Sequence, residues 1–230
     1  MYSGNLGTSL EVLFYLEKCT KMTMMELWKE FYENVIHTKW QEWTSTIMQI
    51  ASVWYAKKNN VLVYPTGIVG VLLASYIYYF IAEPPLYADS ILNVYYFVMS
   101  LYGWYNWMQK KNAEDLYPIS WCNKSELTNG IILFLTSWII ICYMLATLTD
   151  SNTLLLDSLV SSSAVTSMWW MTKRKMENWI AWIFSNIIAI PLNFYKGFML
   201  FTLMYVLFLL LAVSGLLEWK TKLATQSKNA

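Results

Sequence analysis

From residue 40 onward the chain alternates long apolar runs with short polar breaks, and the runs are as long as membrane-crossing helices. A helix through hydrocarbon needs roughly 20 residues. Seven such segments can be laid out, at about 40–57, 61–82, 86–108, 128–148, 152–172, 178–195 and 197–218. Residues 1–39 ahead of them are polar and mixed in sign. Their apolar patch at Val12-Leu13-Phe14-Tyr15-Leu16 is too short to span, and an amphipathic surface helix is expected near Met24–Val35. The second segment contains Pro65 and Gly67 and the sixth contains Pro191. Such residues are tolerated in membrane helices where neighbours re-satisfy the freed backbone groups, so these three positions are candidate hinges.

The segments repeat. An offset of 115 superposes Glu42 on Asp157, Thr46 on Ser161 and Trp54 on Trp169. Three residues are then lost, and an offset of 112 pairs Asn93 with Tyr205, Gly103 with Gly215 and Trp107 with Trp219. Two triple-helix units separated by one linker helix run the same way through a bilayer, the parallel arrangement of transporters whose halves pack about an axis along the membrane normal. The expected organisation is an N-terminal segment (1–39), a first triple-helix repeat (40–110), a loop and linker helix (111–150), a second repeat (151–220) and a cytoplasmic tail (221–230).

Composition agrees with an all-α integral membrane protein. Of 230 residues, 57% are hydrophobic and only 13% charged, about half the charge of a soluble domain. Thirteen Trp and seventeen Tyr suit membrane interfaces, where amphipathic rings collect. Net charge is +1, and no Lys/Arg-rich arm offers itself to nucleic acid. Cys19, Cys122 and Cys142 are scattered and His37 is the sole histidine, so no zinc or disulfide framework can be built; neither metal nor cofactor is expected. No removable signal peptide is apparent, which leaves insertion to the first spans. Eleven basic residues (Lys57, Lys58, Lys110, Lys111, Lys124, Lys173, Arg174, Lys175, Lys220, Lys222 and Lys228) follow spans 1, 3, 5 and 7, against five on the other side. By the positive-inside rule the N-terminus lies outside and the C-terminus inside.

Polar residues inside the spans mark where chemistry can occur. On span 6, Trp182 lies about 40° around the helix from Asn178, Asn186 about 80° and Asn193 about 60°, so one face bears three amides and an indole. Amides in hydrocarbon cost free energy unless bonded, so the stripe faces either other helices or a ligand cavity. Gln49 falls near the middle of span 1 and Ser161-Ser162-Ser163 near the middle of span 5. Asp89, Asn93, Tyr96 and Ser100 form a stripe on span 3. Amides, hydroxyls and rings converging at one depth suit a small, flat, hydroxyl-bearing molecule. Glu42, Asp89 and Asp157 begin spans 1, 3 and 5, where they either complement helix dipoles or form an anionic outer vestibule for a cationic substrate. No midplane carboxylate or histidine offers a proton relay, which favours facilitated diffusion. No span holds a nucleophile with a base, or an acidic cluster for a metal, so a membrane enzyme is disfavoured; a ligand sensor without transport remains a rival.

Several segments resemble the PnuC family of vitamin-precursor transporters: Tyr64-Pro65-Thr66-Gly67-Ile68-Val69, Leu86-Tyr87-Ala88-Asp89, Tyr102-Gly103-Trp104-Tyr105-Asn106-Trp107, and Met171–Trp179 followed by Trp182 and Asn186. The resemblance covers about 40–220. It implies a SWEET-like 3+1+3 helical fold, a homotrimer in a bacterial inner membrane, and uptake of nicotinamide riboside down its gradient with trapping by a cytoplasmic kinase. Thiamine is the alternative vitamin. The ligand-facing positions it implies are Gln49, Asn93, Asn178, Trp182, Asn186 and Tyr205, to which the span 3 stripe adds Tyr96. Asn93 departs from the longer Gln that many members carry.

Overall fold

The computed structural model describes residues 39–82, 86–111, 114–149, 152–196 and 198–229, together with Lys29 and Tyr32. Apart from Lys29, Tyr32 and Lys39, the N-terminal segment, with nearly all of its expected surface helix, lies outside the described residues. The described residues hold seven α-helices: α1 (Trp40–Lys57), α2 (Val63–Tyr76), α3 (Tyr87–Met108), α4 (Lys124–Leu148), α5 (Leu154–Thr172), α6 (Glu177–Tyr195) and α7 (Met199–Asn229). Each sits on one of the seven expected segments, and α7 runs well past the expected end. A two-residue ladder, β1 (Lys110–Lys111) with β2 (Glu114–Asp115), ornaments the loop after α3. Among the described residues three helical stretches, Val63–Ile81, Lys124–Leu148 and Met199–Gln226, are long and apolar enough to cross a membrane on length and composition alone.

Local chemistry explains the boundaries. Pro65 falls in the first turn of α2, where a missing N–H removes no helical bond, so the proline starts the helix rather than bending it. The irregularity in this span comes later, where α2 runs into a π-turn over Ile77–Ile81 closed by the Ala82 N–H on the Ile77 carbonyl. Pro191 lies inside α6. The start of α4 is a full capping box: Asn123 accepts from the Glu126 N–H at 2.8 Å and the Glu126 carboxylate accepts from the Asn123 N–H at 2.9 Å.

Packing joins α1 to α2, α2 to α3, α3 to α5, α5 to α6, α6 to α7 and α7 back to α1, a closed ring of six helices. Helix α4 stands outside it, against α5, where Gly130 leaves room for the Trp170 ring and the Trp138 indole donates to the Ser158 hydroxyl at 3.0 Å. Helix α5 is covered on several sides, and its interior is built of small hydroxyl residues. Ser158, Ser162, Ser163, Thr166, Ser167 and Thr172 are all buried, and all are bonded to backbone carbonyls.

The α1–α2 turn recurs as the α5–α6 turn at an offset of 115. Asn59 has φ 55° and Arg174 φ 52°, both left-handed. The Asn59 N–H bonds the Ala56 carbonyl as Arg174 bonds Met171, and Asn60 bonds Tyr55 as Lys175 bonds Trp170. The Lys58 ammonium lies 5.5 Å from the Trp54 ring centre and the Lys173 ammonium 4.5 Å from Trp169.

The loops that follow α1 and α5 are nonetheless held differently. The 109–123 loop is strapped onto the second turn. The Arg174 guanidinium sits 4.4 Å over the Trp107 ring, pairs with Asp115 at 3.1 Å and donates to the Tyr117 carbonyl at 2.9 Å. Lys175 pairs with Glu126 at 2.8 Å, and the Glu177 carboxylate accepts from the Cys122 N–H at 2.9 Å. Burial pushes the Arg174 pKa down and the Asp115 charge opposes that shift. The first turn has instead an ion pair from Lys58 to Glu218 at 3.2 Å and the Lys222 ammonium on the Lys58 carbonyl.

Candidate functional site

The ring encloses a cavity of about 250 Å³, with walls from α1, α2, α3, α5, α6 and α7. One end is sealed by four buried rings. Tyr64 meets Trp107 edge-on at 5.2 Å, Trp107 lies 6.1 Å from Trp219, and Trp219 meets Trp179 edge-on at 5.4 Å. Two glycines admit them: a Cβ at Gly103 would strike the Tyr64 ring, and one at Gly215 would stand 2.6 Å from the Trp179 ring. At the other end Asp89, exposed in the first turn of α3, lines the wall with Tyr96 and Tyr205 on its inner side.

Of the residues singled out in the sequence, Gln49, Asp89, Tyr96, Trp182, Asn186 and Tyr205 come together on this wall, and Gly67 lines it as well. Others do not reach it. Asn93 turns its amide nitrogen back to the Asp89 carbonyl on its own helix at 2.8 Å. Asn178 is fully buried beside the α5–α6 turn, where its amide nitrogen donates to the Lys175 carbonyl. Asp157 accepts from Lys196 at 2.6 Å and from the Thr153 hydroxyl at 2.8 Å, so its charge is compensated locally. Glu42, Pro65 and Pro191 also lie off the cavity wall. Among the described residues no cluster of His, Cys, Asp or Glu is suited to a metal ion.

Sequence reasoning missed Tyr64 and Trp179 as wall residues. The repeat held the clue, because these two positions are separated by 115 and each faces the glycine of its own third helix. Four buried polar atoms on the wall have no hydrogen-bond partner among the described residues: the Tyr64 hydroxyl, the indole nitrogens of Trp179 and Trp182, and the Asn186 amide nitrogen. Buried polar groups are nearly always paired, so four unpaired donors on residues that line one cavity make those side chains candidates for meeting a ligand's oxygens. Among the described residues no Lys, Arg or His lines the cavity. It is therefore a largely apolar, aromatic and donor-rich chamber with one carboxylate near one end.

Residues 39–221 match the family described as nicotinamide mononucleotide transporter. Among curated relatives, the nicotinamide riboside transporter PnuC of Escherichia coli (strain K12) is 22% identical over 205 residues, covering 78% of this chain and 84% of that protein; the protein of the same name from Shigella flexneri gives the same values. A crystal structure of the vitamin B3 transporter PnuC superposes with a TM-score of 0.65 at 20% identity, covering 98% of this chain and 95% of that one, a likeness of fold. The resemblance read from the Tyr-Gly-Trp and Glu-Asn-Trp runs is thus borne out across nearly the whole membrane region. With a family match spanning most of its length and a fold shared with a transporter, this chain belongs to the nicotinamide mononucleotide transporter family of membrane proteins.

Proposed function

We propose that this chain carries nicotinamide riboside across a bacterial inner membrane by facilitated diffusion, and that the riboside rather than its phosphate is the substrate. The observation that carries this reading is the cavity wall: four unpartnered donors, two of them indole nitrogens, and no cation among the described residues that line it. A riboside supplies carbonyl and hydroxyl oxygens for those donors and a pyridinium for the Trp182 face, a contact worth about 1–2 kcal/mol when desolvated. A mononucleotide would bring a phosphate of roughly −1.5 to −2 charge into a chamber whose described lining residues include no cation, and an uncompensated buried charge is costly. Asp89 adds the complementary charge for a cationic ring.

The same reading takes the two halves as parallel repeats in a SWEET-like 3+1+3 arrangement. It is supported by the matching turns at offset 115 and by the order of packing, in which α3 meets α5 as α7 meets α1. Facilitated diffusion is favoured because, among the described residues, the wall carries no histidine and no carboxylate besides Asp89 for proton coupling. The homotrimer and the trapping kinase come from the family resemblance.

The test is uptake into proteoliposomes and calorimetry on the purified protein with nicotinamide riboside, its mononucleotide and thiamine. Saturable, gradient-driven uptake of the riboside, with at least tenfold weaker binding of the mononucleotide, is expected. Equal binding of the two would overturn the assignment, thiamine bound alone would move it to the alternative vitamin, and binding without uptake would leave a sensor.

A further inference from the structure

We propose that Ser45 sets the orientation of the Gln49 amide, and that this orientation makes the cavity select a neutral carboxamide over a carboxylate on the substrate's ring. The inference rests on the riboside function proposed above and names the contact that tells that substrate from its acid analogue.

Ser45 is 3% exposed, and its hydroxyl oxygen lies 2.8 Å from the Gly70 carbonyl oxygen on α2. A carbonyl can only accept, so the single hydroxyl proton is committed there. The Ser45 oxygen is left as an acceptor, and the Gln49 amide nitrogen, 3.1 Å away, donates to it. An amide whose nitrogen is turned to Ser45 has its oxygen turned away from it, and Gln49 is a wall residue of the cavity. Gly70 permits the arrangement. A Cβ there would stand 2.8 Å from the Gln49 Cγ and 3.3 Å from the Ser45 carbonyl oxygen, so any larger residue would push α1 away and break the relay.

The unpartnered atoms elsewhere on the wall are N–H groups and one hydroxyl. Against that wall the Gln49 oxygen is a side-chain acceptor of fixed direction, and it calls for an N–H from the ligand. A carboxamide brings two; an ionised carboxylate brings none and sets oxygen against oxygen. A site built to accept a hydrogen rejects the analogue lacking it, because its own buried acceptor is then left unpaired. Without the Ser45 hydroxyl nothing holds the Gln49 nitrogen, and the amide is free to flip and offer its N–H to a carboxylate. Ser45 is thus a positioning residue that touches no substrate.

The experiment measures binding of nicotinamide riboside and nicotinic acid riboside to the purified full chain and follows the ratio of the two affinities. Wild type should prefer the amide, and Ser45→Ala should narrow that preference roughly three- to tenfold, the range for one neutral hydrogen bond. Gln49→Ala should itself lose most of the preference, and adding Ser45→Ala to it should narrow the ratio no further, a non-additivity that a general packing role for Ser45 does not predict. Should Ser45→Ala not assemble, Ser45→Cys, with a thiol that donates weakly, carries the same expectation. A ratio unchanged by the serine variants, or narrowed by Ser45→Ala as much in the Gln49→Ala background as in wild type, overturns the inference while leaving the riboside function standing. Wild-type protein that binds neither ligand overturns the function itself, and the inference with it.

Discussion

Trp107 and Trp219 stand 6.1 Å apart, ring centre to ring centre, and each ties the helical unit it belongs to onto the other one. The Trp107 indole donates to the Met171 carbonyl on α5 at 3.1 Å, and the Trp219 indole donates to the Ala56 carbonyl on α1 at 3.0 Å. Donors and acceptors correspond under the repeat: 107 and 219 at its offset of 112, 56 and 171 at its offset of 115. Both indoles are almost fully buried, and each gives a helix-end carbonyl that already accepts from its own turn a second partner, so the indole N–H itself is paired where water is excluded.

Replacing either tryptophan by Phe should therefore weaken the fold by a similar amount. A hydrogen bond between membrane helices is worth about 0.6 kcal/mol on average and up to about 1.7, so Trp107→Phe and Trp219→Phe should each lower the unfolding midpoint in detergent modestly. Trp219→Ala, which also opens a void, should cost about 3–5 kcal/mol. Thermal unfolding followed by size exclusion checks this; a Trp219→Phe protein as stable as wild type would show that the bond contributes nothing.

The glycines beneath the ring seal are predicted to be intolerant of any side chain. Gly103→Ala and Gly215→Ala drive a methyl into the Tyr64 and Trp179 rings, and overpacking of this kind costs about 1–3 kcal/mol. Because those rings also line the cavity, ligand affinity should fall together with stability. Calorimetry on the surviving fraction is the measurement, and unchanged affinity would separate the seal from the site.

Asn178 and Asn186 lie on one helix face and are predicted to behave differently. Asn186→Ala removes an unpartnered donor on the wall and should weaken binding roughly twofold to more than tenfold, as for the loss of one neutral hydrogen bond. Asn178→Ala removes a brace on the α5–α6 turn and should lower stability with little change in affinity. Binding isotherms for the two variants decide it, and equal losses of affinity would place Asn178 at the ligand after all.

Trp182→Leu keeps an apolar side chain and removes the π face. Affinity for the cationic riboside should drop about five- to thirtyfold, corresponding to about 1–2 kcal/mol of cation–π attraction, while an uncharged reduced analogue should be affected far less. Calorimetry with both ligands tests the point; equal losses would assign Trp182 to shape alone.

The asymmetry of basic residues predicts which ends face the cell interior. Cysteines placed at the exposed positions of Lys220 and Asn152 should be labelled from inside only and from outside only, respectively, in intact cells and inverted vesicles. The opposite pattern would reverse every loop.

The number, order and approximate limits of the seven helices were legible in the chain itself, because hydrocarbon imposes a length and an apolar composition on every span and the polar breaks are short. Repeated landmarks were legible for a related reason. Trp54 with Trp169, and Gly103 with Gly215, occupy matching places in two similar units, and a linear offset is enough to find them. Part of the cavity wall, the candidate site, could also be read, since Gln49, Trp182 and Asn186 are polar or aromatic at mid-span depth, where such groups are expensive without a purpose. Rotation about the helix axis within a ring of six helices was decided only by tertiary packing. Asn178, Asn186 and Asn193 share a face of α6, yet Asn178 meets the end of its own turn and Asn193 bonds its own helix at the Ala189 carbonyl, leaving Asn186 for the cavity. Tyr64 and Trp179 resemble interface anchors in a linear reading, and became walls because the glycines opposite them sit on helices some 40 residues away in sequence. A hydrogen-bond partner such as Gly70 for Ser45 belongs to the three-dimensional neighbourhood: periodicity says which face of a helix is polar, and only the packed neighbour says what that face meets.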